Sequence, residues 1–301
     1  MDAKMIEVDH ITKNYGGGRG VFDVSFSVNR GEVMGFLGPN GAGKTTTIRQ
    51  LMGFIRPDSG SVRIEGMDCF TQAAQIERNL GYLPGEIAFM DDMTGIQFIH
   101  FIAGMKGLRD LSRAEELIRI FELNPGGRIK KMSKGMKQKI GIVCAFMQSP
   151  RILILDEPTS GLDPLMQNRF VELILHEKER GTTILMSSHA FEEVERTCDR
   201  TAIIREGKIV AVENMDRLRK NRSRIFTLRF TSSADAVGFA ESFPRSKAAV
   251  KGRTVTVDVA GEVAAFLRAA SEWNVEDIDL RRQTLEEFFL QFYGEGEGKL
   301  Q

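Results

Sequence analysis

A glycine-rich segment between an apolar strand and a predicted helix constrains this chain more than any other feature. Residues 38–45 read GPNGAGKT and follow the apolar run EVMGFL. The spacing G-x-x-x-x-G-K-[ST], after a strand and before a helix, is typical of a loop whose backbone N–H groups surround phosphates. In such a loop the lysine reaches the β- and γ-phosphates and the next hydroxyl holds Mg²⁺. The alternative is an ordinary glycine-rich turn. The predicted nucleoside triphosphate site consists of Gly38, Asn40, Gly41, Gly43, Lys44, Thr45 and Thr46.

Two carboxylates stand at the end of another apolar run. The segment RILILDEP carries Asp156 and Glu157, and by itself it could be a strand that merely stops at the surface. A triphosphate site, however, needs a carboxylate for Mg²⁺ and an oriented water for hydrolysis. Since successive side chains of a strand point to opposite sides, we expect Asp156 to approach the metal and Glu157 to polarise the attacking water. The sequence therefore predicts that Thr45 and Asp156 hold Mg²⁺ and that Glu157 is catalytic.

Short β-type runs alternate with longer helical stretches along most of the chain. RILIL and TTILM are apolar at nearly every position, as in parallel strands covered on both faces, whereas VFDVSFSV alternates like a strand with one exposed face. The predicted fold class is therefore α/β, a P-loop NTPase core with a parallel sheet, an antiparallel β layer and a helical subdomain inserted at about residues 94–148. A β-α-β-β-α-β pattern near the end predicts a small C-terminal α+β domain of ferredoxin-like topology. We expect domains at residues 1–218 and 219–301, the second with a polar tail.

The charge balance and the cysteines argue against several classes of protein. The chain has 41 Lys and Arg against 41 Asp and Glu, so no nucleic-acid partner is expected. Cys69, Cys144 and Cys198 lie far apart without a C-x-x-C pair, which disfavours a zinc knuckle or a disulfide framework and favours a reducing cytosol. The longest strongly apolar run, Ile140–Met147, is far shorter than the ~20 residues that cross a bilayer. No membrane span and no export signal are expected.

Four motifs in a fixed order resemble the nucleotide-binding subunit of an ATP-binding-cassette (ABC) transporter. They are GPNGAGKT, S-K-G at residues 133–135, LDEPTSGLD at residues 155–163 and S-H at residues 188–189, within a similarity over about residues 5–215. The resemblance implies an ATPase that uses ATP and Mg²⁺, a head-to-tail homodimer formed on ATP binding, and a separate transmembrane permease. It also implies a cytoplasmic location, peripheral on the inner face of the cell membrane through that permease.

The same resemblance implies roles for further residues. Tyr15 corresponds to the aromatic residue that stacks on adenine, and Ser133 and Gly135 to the signature that touches the γ-phosphate of ATP in the opposite subunit. Asp163 corresponds to the loop that links the two sites, and His189 to the residue that senses the γ-phosphate.

Two segments depart from the family's pattern. The usual Leu-Ser-Gly-Gly-Gln signature is MSKGM here, so Lys134 adds a cation near the expected γ-phosphate. Signatures of the type S-K-G-M-K-Q are similar to those of bacterial drug- and antibiotic-export cassettes, which favours an exporter of drugs, antibiotics or lipid-like compounds. The family's usual glutamine after the proline of GYLPGEIAF is replaced by Gly85 and Glu86. Glu86 is therefore expected at the triphosphate, where a metal or a proton must neutralise it.

Several alternatives stay open at this point. The chain could be a soluble ABC-type ATPase with a regulatory, ribosomal or DNA-related role, although it has one cassette and no heptad run. Tyr15 could be a packed loop residue, and His189 a structural histidine. Within residues 87–101 most apolar side chains are expected inside the helical subdomain, with Phe89 and Met90 as candidates for a groove that binds a permease helix. The C-terminal domain could support dimerisation, contact the permease or only stabilise the chain.

Overall fold

A central parallel sheet organises the larger of two compact units in the computed structural model of the chain. The structure describes residues 3–90, 92–221, 224–242, 248–259, 263–282 and 287. The first unit is Met1–Met215 and the second is Asp216–Gln301, so the chain divides a few residues before Leu218.

The first unit contains ten strands and seven complete helices among its described residues. The strands are β1 (Lys4–Asn14), β2 (Gly20–Asn29), β3 (Val33–Leu37), β4 (Ser59–Ile64), β5 (Met67–Asp68), β6 (Leu80–Leu83), β7 (Ile152–Asp156), β8 (Thr183–Ser188), β9 (Arg200–Arg205) and β10 (Lys208–Asn214). The helices are α1 (Lys44–Leu51), α2 (Ala73–Ile76), α3 (Gly95–Met105), α4 (Ser112–Ile120), α5 (Lys134–Phe146), α6 (Pro164–Glu179) and α7 (Phe191–Thr197). The next helix, α8 (Met215–Asn221), begins where the units divide.

Two sheets form the body of this unit. The central sheet has the order β10-β9-β3-β8-β7-β6 and is parallel except for the β9–β10 pair. Every residue of β3, β7 and β8 is buried, as expected for strands covered on both faces. The second sheet, β2-β1-β4-β5, is antiparallel and shares one apolar core with the first; Phe26 of β2 and Phe36 of β3 lie 5.1 Å apart between ring centroids.

The topology brings the predicted functional segments to one edge. In a parallel sheet all strands end at the same edge, and β3, β7 and β8 are neighbours. The phosphate loop follows β3, Glu157 follows β7, and His189 follows β8. This arrangement bears out the predicted α/β core with its antiparallel layer.

The helical subdomain is inserted between β6 and β7. It consists of α3, α4 and α5, and α3 begins with a capping box in which Thr94 and Gln97 satisfy each other's backbone N–H groups. Phe89 packs on Phe98 with ring centroids 4.9 Å apart, so its side chain belongs to the interior of the subdomain. Met90 is 46% exposed.

Strand β6 is absent from the predicted elements. Its four residues, Leu-Gly-Tyr-Leu, are too few to show a period, and glycine is rare inside strands. Its place at the end of the central sheet depends on pairing with β7, which follows it only after the whole helical subdomain.

The second unit has strands and helices in the order β-α-β-β-α-β. They are β11 (Arg224–Phe230), α9 (Ser233–Glu241), β12 (Ala248–Lys251), β13 (Thr254–Val259), α10 (Val263–Ser271) and β14 (Val275–Arg282). The sheet is antiparallel with the order β12-β13-β11-β14, and its core contains Phe226, Phe230, Phe239 and Phe266. Most of the predicted final segment LEEFFLQFY lies outside the described residues.

Across the described ranges, no helix combines the length and the apolar character that crossing a membrane requires. Cys69, Cys144 and Cys198 are free thiols.

Candidate nucleotide site

The segment between β3 and α1 forms an open cradle of backbone N–H groups. Gly41 and Gly43 have positive φ values of 81° and 113°, which glycine adopts without strain. A Cβ atom at Gly43 would lie 2.7 Å from Cγ1 of Val21, so only glycine fits there. No side chain caps the N-terminus of α1 and its first turn contains no acidic residue. The helix end therefore presents uncompensated positive potential, which suits an anion.

Lys44 brings a buried positive charge to this cradle. The residue is 4% exposed, and its Nζ donates hydrogen bonds to the carbonyl oxygens of Gly38, at 2.7 Å, and Pro39, at 3.2 Å. The same Nζ lies 3.3 Å from Oε1 of Glu157. An ammonium group is rarely buried unless it is paired with an opposite charge, and here the Glu157 carboxylate is that partner.

Thr45 and Asp156 bring a hydroxyl and a carboxylate together. Thr45 Oγ1 donates to Asp156 Oδ2 at 2.8 Å, and Ser187 Oγ donates to Asp156 Oδ1 at 2.5 Å. A Cβ atom at Gly85 would be 3.2 Å from Asp156 Oδ2, so the backbone before Glu86 passes beside this carboxylate. Oxygen ligands of this kind fit Mg²⁺, which typically takes one or two protein ligands and completes its shell with phosphate oxygens and water. The described part of the chain has no cluster of three or more His, Cys, Asp or Glu side chains that could hold a metal.

Glu157 lies between Lys44 and His189. Its backbone has a φ of 48°, and its N–H is fixed by Ser187, whose Oγ accepts at 3.0 Å. Its Oε1 faces Lys44, and its Oε2 is 3.5 Å from Nδ1 of His189. The turn after β7 thus directs a carboxylate towards the phosphate loop and towards the end of β8.

A cavity of about 780 Å³ joins these groups. The predicted residues that line it are Tyr15, Asn40, Gly41, Gly43, Lys44, Thr45, Thr46, Glu86, Asp156 and Glu157. Tyr15 is 48% exposed at its edge, so the ring is open to a flat ligand. Gly38 contributes a carbonyl oxygen to Lys44, and His189 contacts Glu157. Ser133, Gly135 and Asp163 do not line the cavity.

These three residues instead lie in local structural contacts; a Cβ atom at Gly135 would be 2.6 Å from the carbonyl oxygen of Gly161. Ser133 Oγ accepts from the N–H of Met136 and so caps α5, and Asp163 Oδ1 accepts from the N–H of Met166 and caps α6. The neighbouring Lys134 reaches the rim of the cavity, where its Nζ donates to Ser160 Oγ at 2.9 Å. The signature segment and the loop between Glu157 and Asp163 are therefore in contact within one chain.

Comparison with known proteins assigns the chain to a family. Residues 21–160 match the ABC transporter family. The chain is 36% identical over 241 residues to the bacitracin transport ATP-binding protein BcrA of Bacillus licheniformis, across 79% of this chain and 78% of BcrA. The chain belongs to the ABC transporter ATP-binding family.

Two further similarities extend the comparison. The daunorubicin resistance ATP-binding protein DrrA3 of Streptomyces coeruleorubidus is 30% identical over 309 residues, across 96% of each chain. A dimeric ATP-binding cassette in a post-hydrolysis state, bound to ADP and phosphate, superposes with a TM-score of 0.63 at 21% identity, over 70% of this chain and 99% of that one. At that identity the likeness shows the fold, and it confirms the predicted P-loop NTPase core. As a member of the ABC family, the chain is an ATP-binding ATPase subunit of the kind that works with a membrane permease.

Several residues of this ABC site are not predicted by the sequence motifs. Ser187 holds both Asp156 and the backbone of Glu157, and Arg19, Arg49 and Tyr82 line the cavity. Ser187 precedes the S-H motif directly, and that position was the one available signal. Tyr82 is brought to the site by the pairing of β6 with β7, Arg19 lies in the connection between β1 and β2, and Arg49 is on α1 one turn after Thr45.

Proposed function

We propose that this ABC subunit hydrolyses ATP with Mg²⁺ at the site around Lys44 and drives a separate permease that exports drugs or antibiotics. The position of Glu157 carries the proposal, because its two carboxyl oxygens face Lys44 and His189. A carboxylate beside the phosphate-binding lysine suits a general base for water that attacks the γ-phosphate. His189, at the end of the neighbouring strand, suits a contact to the γ-phosphate itself.

The remaining contacts with ATP follow from the lining of the cavity. The loop N–H groups and Lys44 bind the phosphates, and the exposed ring of Tyr15 stacks on adenine. Thr45 and Asp156 hold Mg²⁺, which when bound offsets phosphate charge and orients the phosphate oxygens. Glu86 lines the same cavity, and we assign it a position near the triphosphate where the metal tolerates its charge.

The active form is a head-to-tail homodimer. Ser133 and Gly135 lie outside the cavity of their own chain, so their proposed contact with a γ-phosphate requires a second copy. Ser133 is at the N-terminus of a helix of 13 residues, next to the basic side chains of residues 130–139, and this end suits a polyphosphate. Asp163, which starts α6 after the same loop, is proposed to link the two sites.

Export is proposed by analogy with two relatives. BcrA is a bacitracin transport protein and DrrA3 a daunorubicin resistance protein, and both are ATP-binding subunits. By analogy, the permease binds the compound and this subunit supplies the energy from the inner face of the membrane. No observation favours a ribosomal or DNA-related role.

The permease is proposed to dock at a groove beside the helical subdomain. The groove has a volume of about 640 Å³ and is lined by residues that include Phe54, Tyr82, Ile102 and Met105. Phe54 is 57% exposed and Met105 is 73% exposed, which is high for such large apolar side chains. This groove lies near the β6 end of the sheet and does not include Phe89 or Met90.

Phe54→Glu and Met105→Glu test the docking groove. Each is expected to reduce recovery of a multi-span membrane protein with the tagged chain from native membranes at least about tenfold, because it puts a charge into an apolar contact. Leu175→Glu, an exposed apolar residue of α6, is the control and should leave recovery unchanged. Equal recovery with all three variants would exclude the groove.

Lys44→Ala tests nucleotide binding. Removing the buried ammonium group is expected to weaken Mg·ATP binding at least about tenfold, since the phosphate charge loses its partner. Lys208→Ala, at an exposed lysine of β10, is the matched control and should bind like the wild type. Unchanged ATP affinity in Lys44→Ala, measured by titration with a fluorescent nucleotide, would refute the site.

A further inference from the structure

A buried carboxyl group lies behind the candidate catalytic residues and has no role in the scheme above. Glu193 is on α7, and the residue is only 7% exposed. Its Oε2 accepts hydrogen bonds from Ser188 Oγ, at 2.8 Å, and from Thr159 Oγ1, at 3.2 Å. Its other oxygen, Oε1, is buried and has no hydrogen-bond partner among the residues that the structure describes. Buried carboxyl groups are normally paired or fully hydrogen-bonded, so this one calls for an explanation.

The two donors come from the two segments that carry the proposed chemistry. Thr159 lies two residues after Glu157, at the start of the loop that runs to Asp163. Ser188 is the residue directly before His189, and its Oγ also accepts from the N–H of Ala190 at 2.9 Å. One carboxyl oxygen therefore joins the segment after the proposed base to the segment of the proposed γ-phosphate sensor.

The environment of Glu193 favours its uncharged form. Burial is the main cause that raises the pKa of Glu193 from 4.5 to about 7; the charge of Glu157 acts in the same direction, and the hydrogen bonds from Ser188 and Thr159 act against it. Titratable groups near Glu193 include His189, which faces Glu157, and the buried thiol of Cys198 at the end of α7, whose pKa the charge of Glu193 helps to raise. Lys178 and Asp199 form an ion pair with each other, with Nζ and Oδ1 2.5 Å apart.

A neutral acid also satisfies the local hydrogen bonds. The carboxylic O–H of Glu193 can donate a hydrogen bond to Ser188 Oγ, and the Ser188 hydroxyl can then donate to the carbonyl oxygen of Ala190, 3.4 Å away, with each proton staying on its own oxygen. The Thr159 hydroxyl still donates to the carboxyl group. The unpartnered Oε1 is then a carbonyl oxygen, whose burial costs far less than that of a charged carboxylate oxygen.

We propose that Glu193 is a positioning residue for ATP hydrolysis, which as a neutral acid ties the segment after Glu157 to the segment before His189. The inference rests on the proposed hydrolytic site. Glu193 touches neither ATP nor the attacking water. It fixes the relative places of Glu157 and His189, so its loss should affect turnover and not nucleotide affinity. Small displacements of catalytic groups change rates strongly, whereas the phosphate loop is held by other contacts.

The first arm of the test is a comparison of kcat with ATP affinity in the full chain. Glu193→Ala is expected to lower kcat at least about tenfold with the affinity for Mg·ATP changed less than about twofold. Glu193→Gln keeps a neutral group of the same shape and is expected to retain kcat within about threefold. Glu192→Gln, at the exposed neighbour on the same helix, is the control. Thr159→Val removes only the hydroxyl donor and is expected to lower kcat without changing the affinity for Mg·ATP. This variant tests the proposal if Glu193→Ala does not fold.

Two outcomes of this arm overturn the proposal. Wild-type kcat in both Glu193→Ala and Thr159→Val would show that the tie has no effect on turnover. A Glu193→Gln variant as inactive as Glu193→Ala would show that a charged carboxylate is required.

The second arm measures stability against pH and needs no ATP. Because the folded-state pKa is raised, the folded chain holds one more proton than the unfolded chain between pH 4.5 and about 7. The wild type should therefore lose stability relative to Glu193→Gln as pH rises through this window, with no further change above it. Urea midpoints of the two proteins that stay parallel from pH 4.5 to 7.5 would refute the neutral acid. If instead the wild type binds no ATP at all, the proposed function fails, and this arm still decides the state of Glu193.

Discussion

Glu157 has a backbone conformation that few residues with a side chain adopt. Its φ of 48° ends β7 abruptly and turns the carboxyl group towards Lys44. Left-handed conformations at such residues are costly and concentrate where function requires a particular direction. A hydrogen bond from the Glu157 N–H to the Ser187 hydroxyl oxygen offsets part of this cost.

Glu157→Gln is the sharpest test of the chemistry at this scale. The amide keeps the shape and cannot accept a proton from water, so we expect turnover to fall at least about a hundredfold while ATP still binds. An ATP-bound dimer should accumulate and be visible by size-exclusion chromatography. Glu179→Gln, on the exposed face of α6, is the control. Normal hydrolysis by Glu157→Gln would require another base.

Single residues could be predicted where their signal is local. Gly41, Lys44 and Thr45 belong to one short motif, and Asp156 and Glu157 are adjacent. Ser187 and Glu193 act through partners 31 and 34 residues away, so only the fold brings them to the site. For Ser187 the one local signal is its position directly before the S-H motif, and for Glu193 the sequence pattern has none.

At the scale of elements, a buried ion pair joins the helical subdomain to the core. Arg113 of α4 lies 2.6 Å from Oε1 of Glu177 on α6, and the Glu177 side chain is 1% exposed. Arg180 and Thr182 also contact Glu177. This contact attaches the inserted helices to α6, in addition to their covalent links to the flanking strands β6 and β7.

Arg113→Ala should loosen this attachment. Removing one partner of a buried pair leaves a poorly compensated charge, so we expect the first unit to lose about 3 kcal/mol of unfolding free energy in urea. Arg119→Ala, at an exposed arginine of the same helix, should change it by less than about 0.5 kcal/mol. Equal stability of the two variants would mean that Arg180 and Thr182 suffice for Glu177.

Elements with a strong local sequence pattern could be predicted whatever their length, and elements without one could not. Helix α6, with 16 residues, follows from its apolar spacing, and β7 follows from its continuous apolar run. Strand β6 has four residues and α7 has seven, and each is held mainly by packing against neighbours distant in sequence.

At the scale of the whole molecule, the proposed dimer makes each ATP site from two chains. One copy supplies the loop around Lys44 and the other supplies the segment around Ser133. The two surfaces are on separate parts of each chain, so damage to one leaves the other intact.

Mixing two inactive variants tests this arrangement. Lys44→Ala damages one half of each site and Ser133→Arg the other, so a mixed dimer contains one intact site. We expect an equal mixture to regain roughly a quarter of wild-type ATPase activity, because half of the dimers are mixed and each has one site. Each variant alone is the control. A mixture as inactive as its components would show that both halves of a site come from the same chain.

The ion pair between Lys44 and Glu157 has a consequence for how ATP enters. The Glu157 carboxylate is paired with Lys44, the lysine that binds the triphosphate, so ATP must compete with Glu157 for Lys44. Glu157→Gln removes this competing charge and should therefore bind ATP more tightly than the wild type, in addition to any effect of blocked hydrolysis. When ATP binds, its phosphates replace the Glu157 carboxylate at Lys44 and leave that carboxylate available as a base.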